Sequence, residues 1–147
     1  MTINSYTLPD SELERLLGED VPCGDATTFS LGIGDQPGRL VFRARQAMVV
    51  CASEEARRMG ELHGLRSIGN VVASGSRLAA GETILMLEGH AAGLHKVWKT
   101  AQTFMEYLSG IATCTADIVA AARSANPDIG IACTRKNFPG TKAAAIK

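Results

Sequence analysis

Apolar residues along this chain change their period several times, and each change marks an element. Leu13, Leu16 and Leu17 recur at helical spacing behind Pro9, with Asp10 or Ser11 placed to cap the helix and Gly18 to end it. Residues 19–28 (EDVPCGDATT) and the Gly- and Pro-punctuated stretch 31–38 are rich in turn formers and short hydroxyl side chains, which predicts an ordered loop. From Arg39 the pattern alternates. Leu40, Phe42 and Ala44 fall on one side and Arg39, Val41, Arg43 and Arg45 on the other, the signature of a half-buried strand. Residues 48–51 predict a second apolar strand. Ser53 is placed to cap a helix with Glu54 and Glu55 in its first turn, and Gly64 to stop it. Two more strands are predicted at 68–73 and 82–88, with Gly75 and Gly81 in the turns.

Beyond His90 the period lengthens. Leu94, Val97, Trp98, Ala101, Phe104, Met105 and Leu108 fall at steps of three and four and describe one long amphipathic helix. Ser109-Gly110 predicts a break or kink, after which residues 111–124 continue as a small-residue helix that Asn126-Pro127 ends. Residues 129–134 predict a short apolar strand that runs into a basic loop and an Ala-rich helical start. A lone βα unit leaves that strand unpaired, and an unpaired apolar edge is a liability. The pattern therefore predicts a chain cut partway through an α/β array, with an N-terminal α/β sandwich at 1–109 and the opening of a second domain at 110–147.

With 147 residues, 46% of them hydrophobic and 20% charged, the sequence is long enough for one core plus a short appended piece. Fifteen basic residues balance fifteen acidic ones, so no net field favours nucleic acid or an anionic membrane. No targeting pattern and no membrane-length apolar run is present, which predicts a cytoplasmic protein. Cys23, Cys51, Cys114 and Cys133 lie far apart without CxxC spacing and are expected to be reduced thiols filling small core spaces.

Among candidate chemical residues, Arg135, Lys136 and Lys142 cluster beside Pro139-Gly140 where a strand hands over to a helix. At that end of α/β sheets guanidinium and ammonium groups can grip a carboxylate or phosphate. The same charges also suit a solvated basic loop, the commoner fate of such residues. Gly32-Ile33-Gly34 lacks the third glycine and the preceding strand of a dinucleotide fingerprint, and residues 139–142 lack the spacing of a Walker phosphate loop. His90 and His95 are five apart, off the spacing that aligns two metal ligands on one helix face. Residues 69–89 are similar to the sandwich half of biotinyl and lipoyl carriers, but no lysine sits on a tight hairpin there.

Three segments in order, EDVPCGDATT at 19–28, WKTAQTFMEYLSGIATCTA at 98–116 and TRKNFPGTK at 134–142, resemble the quinolinate phosphoribosyltransferase family of type II phosphoribosyltransferases, closest to its ModD branch. The resemblance implies a hammerhead-like N-terminal α/β sandwich followed by the first unit of an incomplete β/α barrel. It also implies transfer of phosphoribose from PRPP to the ring nitrogen of quinolinate or another nitrogen heterocycle carboxylate, with release of pyrophosphate. Magnesium and a homodimer with shared active sites come with it. By the same resemblance Arg135 and Thr134 lie in the substrate site, Lys136 meets substrate and PRPP, Lys142 supports the anion pocket, and Lys99 reaches the partner subunit's substrate. Lys99 stands where the quinolinate enzymes carry an arginine, and an ammonium cannot form the bidentate fork to a carboxylate. Cys133 replaces an acid. Gly24-Asp25-Ala26-Thr27 is expected to pin a loop. The later family motifs are absent from these 147 residues, so the chain is expected to be inactive alone. The alternative is a non-catalytic binding or regulatory module of the same fold, linked to molybdate transport.

Overall fold

The computed structural model describes residues 6–134 and 136–147. In chain order the elements are α1 (Asp10–Asp20), α2 (Ala26–Leu31), β1 (Pro37–Arg43), β2 (Met48–Val49), α3 (Ser53–Leu62), β3 (Arg66–Ser67), β4 (Arg77–Leu78), β5 (Thr83–His90), α4 (Ala91–Ala125) and α5 (Lys142–Ala145). One antiparallel sheet has the order β1-β5-β3, and β2 and β4 form a separate two-stranded ladder. No closed barrel forms among the described residues.

Burial follows the alternation expected of β1. Phe42 and Ala44 are buried and Leu40 half-buried, while Val41 faces outward. Opposite them, Leu85 pairs with Phe42 and Leu87 with Leu40, so the β1–β5 part of that face is apolar. Helices α3 and α4 cover that face. Leu87 approaches Gly60 so closely that a Cβ there would meet its methyl at 2.9 Å, and Leu94 meets Gly38 in the same way. Leu13 and Leu17 of α1, Met59 of α3 and Val97 of α4 are fully enclosed and complete the core. At about 25 cal/mol per Å² of apolar surface removed from water, this face is the main source of stability.

Several expectations meet corrections. The stretch expected to be loop contains α2, because Asp25 caps it by accepting from the Thr28 N–H at 2.7 Å and Gly32 closes it at φ 61°. Ser53 caps nothing. The chain enters α3 through Ala52 at φ 70°, and the Ser53 hydroxyl, fully buried, donates to the Val72 carbonyl instead. No regular strand forms over the expected 68–73; β3 is confined to Arg66–Ser67 just before it. Gly69 at φ 70° interrupts it, although the Ile68 and Val72 N–H groups still donate to Met86 and Ile84 of β5 at 3.0 Å each.

The break expected at Ser109-Gly110 is absent, since α4 runs through both residues for 35 in all. Ser109 is buried and holds Cys51 of the β2–α3 connection, accepting from its N–H at 2.9 Å and donating to its carbonyl at 3.3 Å. One glycine is a modest penalty in a helix held that firmly, on the order of 1 kcal/mol. Residues 129–134 form no strand, because no neighbouring strand is there to pair with; Ile129 and Ile131 are exposed. Only Cys51 of the four cysteines fills the core, whereas Cys23, Cys114 and Cys133 are exposed.

Candidate functional site

Strand β5 passes into α4 without a loop, and the first helical N–H groups are already satisfied. Ala91 donates to Gln36 O at 2.8 Å and Ala92 to Gly34 O at 3.0 Å. One turn on, Gly93 lets α4 approach the end of α3, where any Cβ would lie 2.7 Å from the His63 carbonyl. The first half of α4 is therefore a rigid platform. Its solvent side presents His95, Trp98, Lys99, Gln102 and Glu106.

Lys99, expected to touch substrate, is exposed. Its ammonium lies 4.1 Å from the centre of the Trp98 ring and 3.5 Å from Gln102 Oε1, and Gln102 in turn donates to Glu106 Oε1 at 3.0 Å. Trp98 leaves 40% of its surface open, an unusual exposure for the largest apolar ring in the chain. Beside it a cleft of about 1110 Å³ opens between β1 and α4, lined among others by Phe42, Arg43, Arg45, Trp98, Gln102 and Glu106. Arg43 is fixed there by donating to Thr83 Oγ1 at 2.9 Å and Gly81 O at 3.3 Å. Arg43, Arg45, Glu106 and Asp117 all line it, so the cleft sets both signs of charge beside an apolar wall.

On the other side of Trp98 is a constellation that sequence spacing did not bring together. The Thr28 hydroxyl, buried, lies 2.7 Å from Asp25 Oδ1 and 2.6 Å from His95 Nδ1, with Nδ1 and Oδ1 themselves 3.9 Å apart. The Thr28 hydroxyl and then its backbone N–H hold the Asp25 carboxyl below the usual carboxylate range. The His95 ring sits 6.5 Å from the Trp98 ring, tilted by 45°. The cap Asp25 is legible three residues before Thr28. Nothing in the sequence ties Thr28 to a residue 67 positions later. Asp25 does pin this segment, but through Thr28 rather than Thr27.

The C-terminal candidates lie on the segment leading into α5 and on its first residue. Thr134 Oγ1 accepts from the Lys136 N–H at 3.2 Å, Gly140 turns the chain at φ 85°, and the Thr141 hydroxyl donates to Phe138 O at 2.8 Å. Lys136 and Lys142, the latter opening α5, are exposed; Arg135 lies outside the described residues. No hydrogen bond or ion pair joins Lys99 to Thr134, Lys136 or Lys142 among the described residues. The exposure of Cys133 corrects the expectation of a packed thiol there, whereas Cys51 does pack and burial pushes its thiol up.

A third polar cluster is interior. Lys147, its side chain 2% exposed, lies 3.0 Å from Glu55 Oε1 and 3.3 Å from Glu54 Oε2, and donates to Tyr6 O at 2.7 Å. Glu55 also accepts from the Leu8 N–H at 3.1 Å. This cluster ties the last residues to the start of α3 and to the strap before α1.

The profile described as "Quinolinate phosphoribosyl transferase, N-terminal domain" matches residues 25–109. A Rhodobacter capsulatus protein named "Putative pyrophosphorylase ModD" is 44% identical over 142 residues, covering 97% of this chain and 54% of that protein. A Methanocaldococcus jannaschii protein named "Probable nicotinate-nucleotide pyrophosphorylase (carboxylating)" is 33% identical over 127 residues, 86% of this chain and 44% of its own. The crystal structure of NadC from Streptococcus pyogenes superposes with a TM-score of 0.84 at 26% identity, covering 97% of this chain and 53% of that one. The chain thus spans about half the length of these relatives.

Proposed function

The chain belongs to the quinolinate phosphoribosyl transferase family, and from that premise we propose that the protein takes part in transfer of phosphoribose from PRPP to the ring nitrogen of a heterocyclic carboxylate, releasing pyrophosphate. The observation that carries this reading is the exposed Lys99 on the rigid half of α4, within the matched residues 25–109 and beside the exposed ring of Trp98. An oxocarbenium-like ribose centre and a departing pyrophosphate need fixed positive charge, and a substrate carboxylate needs a cationic partner. Lys99 supplies the latter as a point charge. Having no hydrogen bond to Thr134, Lys136 or Lys142 among the described residues, it suits service to a site on a second copy, whose Thr134, Arg135, Lys136 and Lys142 would receive the anionic groups.

Magnesium is the family's expected ion. Among the described residues no group of three or more His, Cys, Asp or Glu converges to hold a metal, so no step assigned to this chain passes through it. No helix among the described residues is long and apolar enough to cross a membrane.

The test is PRPP-dependent pyrophosphate release, measured for this chain alone and for this chain fused to the C-terminal half of the Rhodobacter capsulatus relative. Release is expected only from the fusion. There Lys99→Ala should lower kcat/KM for the heterocycle by about 10- to 100-fold through loss of one charge-assisted contact. Failure of the folded fusion to release pyrophosphate with any pyridine carboxylate would overturn the reading.

A further inference from the structure

The Thr28 hydroxyl has one proton and two close neighbours, and the chemistry of those neighbours decides where it goes. Asp25, held ionised, can only accept, so the hydroxyl donates to Oδ1 at 2.7 Å. The oxygen of Thr28 then accepts, and the group 2.6 Å away that must donate to it is His95 Nδ1. Were the hydroxyl turned to Nδ1 instead, two oxygens 2.7 Å apart would face each other without a proton between them. The network therefore fixes the neutral ring as the Nδ1–H tautomer and leaves its lone pair on Nε2. Nε2 has no hydrogen-bond partner among the described residues, and it is not among the enclosed polar atoms, so it opens to solvent. His95 stands one helical turn before Lys99, with the Trp98 ring beside both.

We propose that His95 is a specificity-determining residue of the Lys99 site, its Nε2 accepting a hydrogen bond from an N–H or O–H donor on the heterocycle while the Trp98 ring lies beside the heterocycle's plane. This rests on the transferase reading for the class of ligand, and on geometry alone for the tautomer. Quinolinate at neutral pH carries two carboxylates and an unprotonated ring nitrogen, and offers Nε2 no donor. A ring with a carboxylate for Lys99 and an adjacent amino group for His95 satisfies both. The point charge of Lys99 and the acceptor on His95 thus agree on a ligand with one anionic group fewer than quinolinate.

The probe pair is quinolinate and 2-aminopyridine-3-carboxylate, which share the ring and the 3-carboxylate and differ at position 2, where one carries a second carboxylate and the other an uncharged N–H donor. Long-range 1H–15N NMR spectra of the 147-residue chain give the His95 tautomer directly. The expected result is Nδ1–H in the native chain and a shift towards Nε2–H in Thr28→Val, which keeps the backbone cap. Titration with the amino compound should move the His95 Nε2 and Trp98 indole signals, with a Kd about 3- to 10-fold below that of quinolinate, the worth of one hydrogen bond. In His95→Phe that preference should vanish while the Trp98 response remains. An Nε2–H tautomer in the native chain, equal binding of the two probes, or no response of His95 to either overturns the proposal. Loss of the transferase reading would show separately, as absence of pyrophosphate release from the fusion with the tautomer and probe preference intact.

Discussion

From Leu8 to Leu108 the periodic apolar residues other than Trp98 meet partners in the sheet, α1, α3 or α4, and Leu13, Leu17, Leu85 and Leu87 lose all exposure. Beyond Ser109 the same helix keeps an apolar pattern but leaves Ile111 and Ile118 37% and 60% exposed, and the apolar run around Ile129 and Ile131 pairs with nothing. A period states which face of an element is meant to be covered. Covering it takes a second layer, and the described residues supply that layer only in the first part. The two parts touch through few groups, of which the Lys147 cluster and Ser109 are the most enclosed.

The largest test of this contrast compares Leu17→Ala with Ile118→Ala in denaturant unfolding. The first removes a fully enclosed side chain and should destabilise by about 2–5 kcal/mol, whereas the second should stay within about 0.5 kcal/mol. Comparable losses at the two sites would mean that the distal half of α4 is packed as well as the proximal half.

Lys147→Met probes the link between the parts. Removing the cation of an enclosed ion pair leaves the buried Glu55 carboxylate with the Leu8 N–H but no counter-charge from Lys147, and should lower stability by about 3 kcal/mol, against about 0.5 kcal/mol or less for Lys142→Met on the exposed start of α5. The pH dependence follows from Glu54. Burial opposes its ionisation, but hydrogen bonds from the Ser74 hydroxyl and N–H, with Lys147 nearby, outweigh it and hold the carboxyl below the usual 4.5. With the folded value depressed, the stabilisation is full above pH 4.5 and is lost as pH falls through the folded value. Glu54→Gln should flatten unfolding free energy against pH in that acid window and leave the slope above pH 6 unchanged.

These contrasts also explain what the sequence could disclose. The alternation of β1 and the helical spacing of α1 and proximal α4 were legible because each element buries one face and its pattern records which. Helix α2 was not, since Thr27, Thr28 and Ser30 are indifferent helix formers and its stability comes from the Asp25 cap and from Thr28 seated against α4. The apolar run at 129–134 forms no strand for the opposite reason, such a run being necessary for a strand but not sufficient without a neighbour. In the site, Lys99 stood out through its resemblance to a family position. Neither the tautomer of His95 nor the exposure of Trp98 has a local signature, because both depend on contacts between residues distant in sequence.

Ser109→Ala should distinguish a helix break from an anchor. The Cys51 N–H and carbonyl would lose their partner inside the core, at a cost of about 1–3 kcal/mol, with helix content by circular dichroism unchanged. A loss of helicity with little change in stability would instead restore the hinge that Ser109-Gly110 suggested.

The smallest effect separates two glycines of one helix. At Gly93 an added methyl group would collide with the His63 carbonyl at 2.7 Å and Leu65 at 2.9 Å, so Gly93→Ala should destabilise and displace α3. At Gly110 an added Cβ meets nothing within 4 Å, and the residue lies in the interior of α4. Gly110→Ala should therefore stabilise by roughly 0.5–1 kcal/mol, by removing the entropy that a helical glycine loses on folding. Opposite signs at the two positions in thermal unfolding would show that α4 is a single helix with one packed half and one open half. A destabilising Gly110→Ala would mean that something occupies the lip of the cleft at that residue, and would locate the missing layer there.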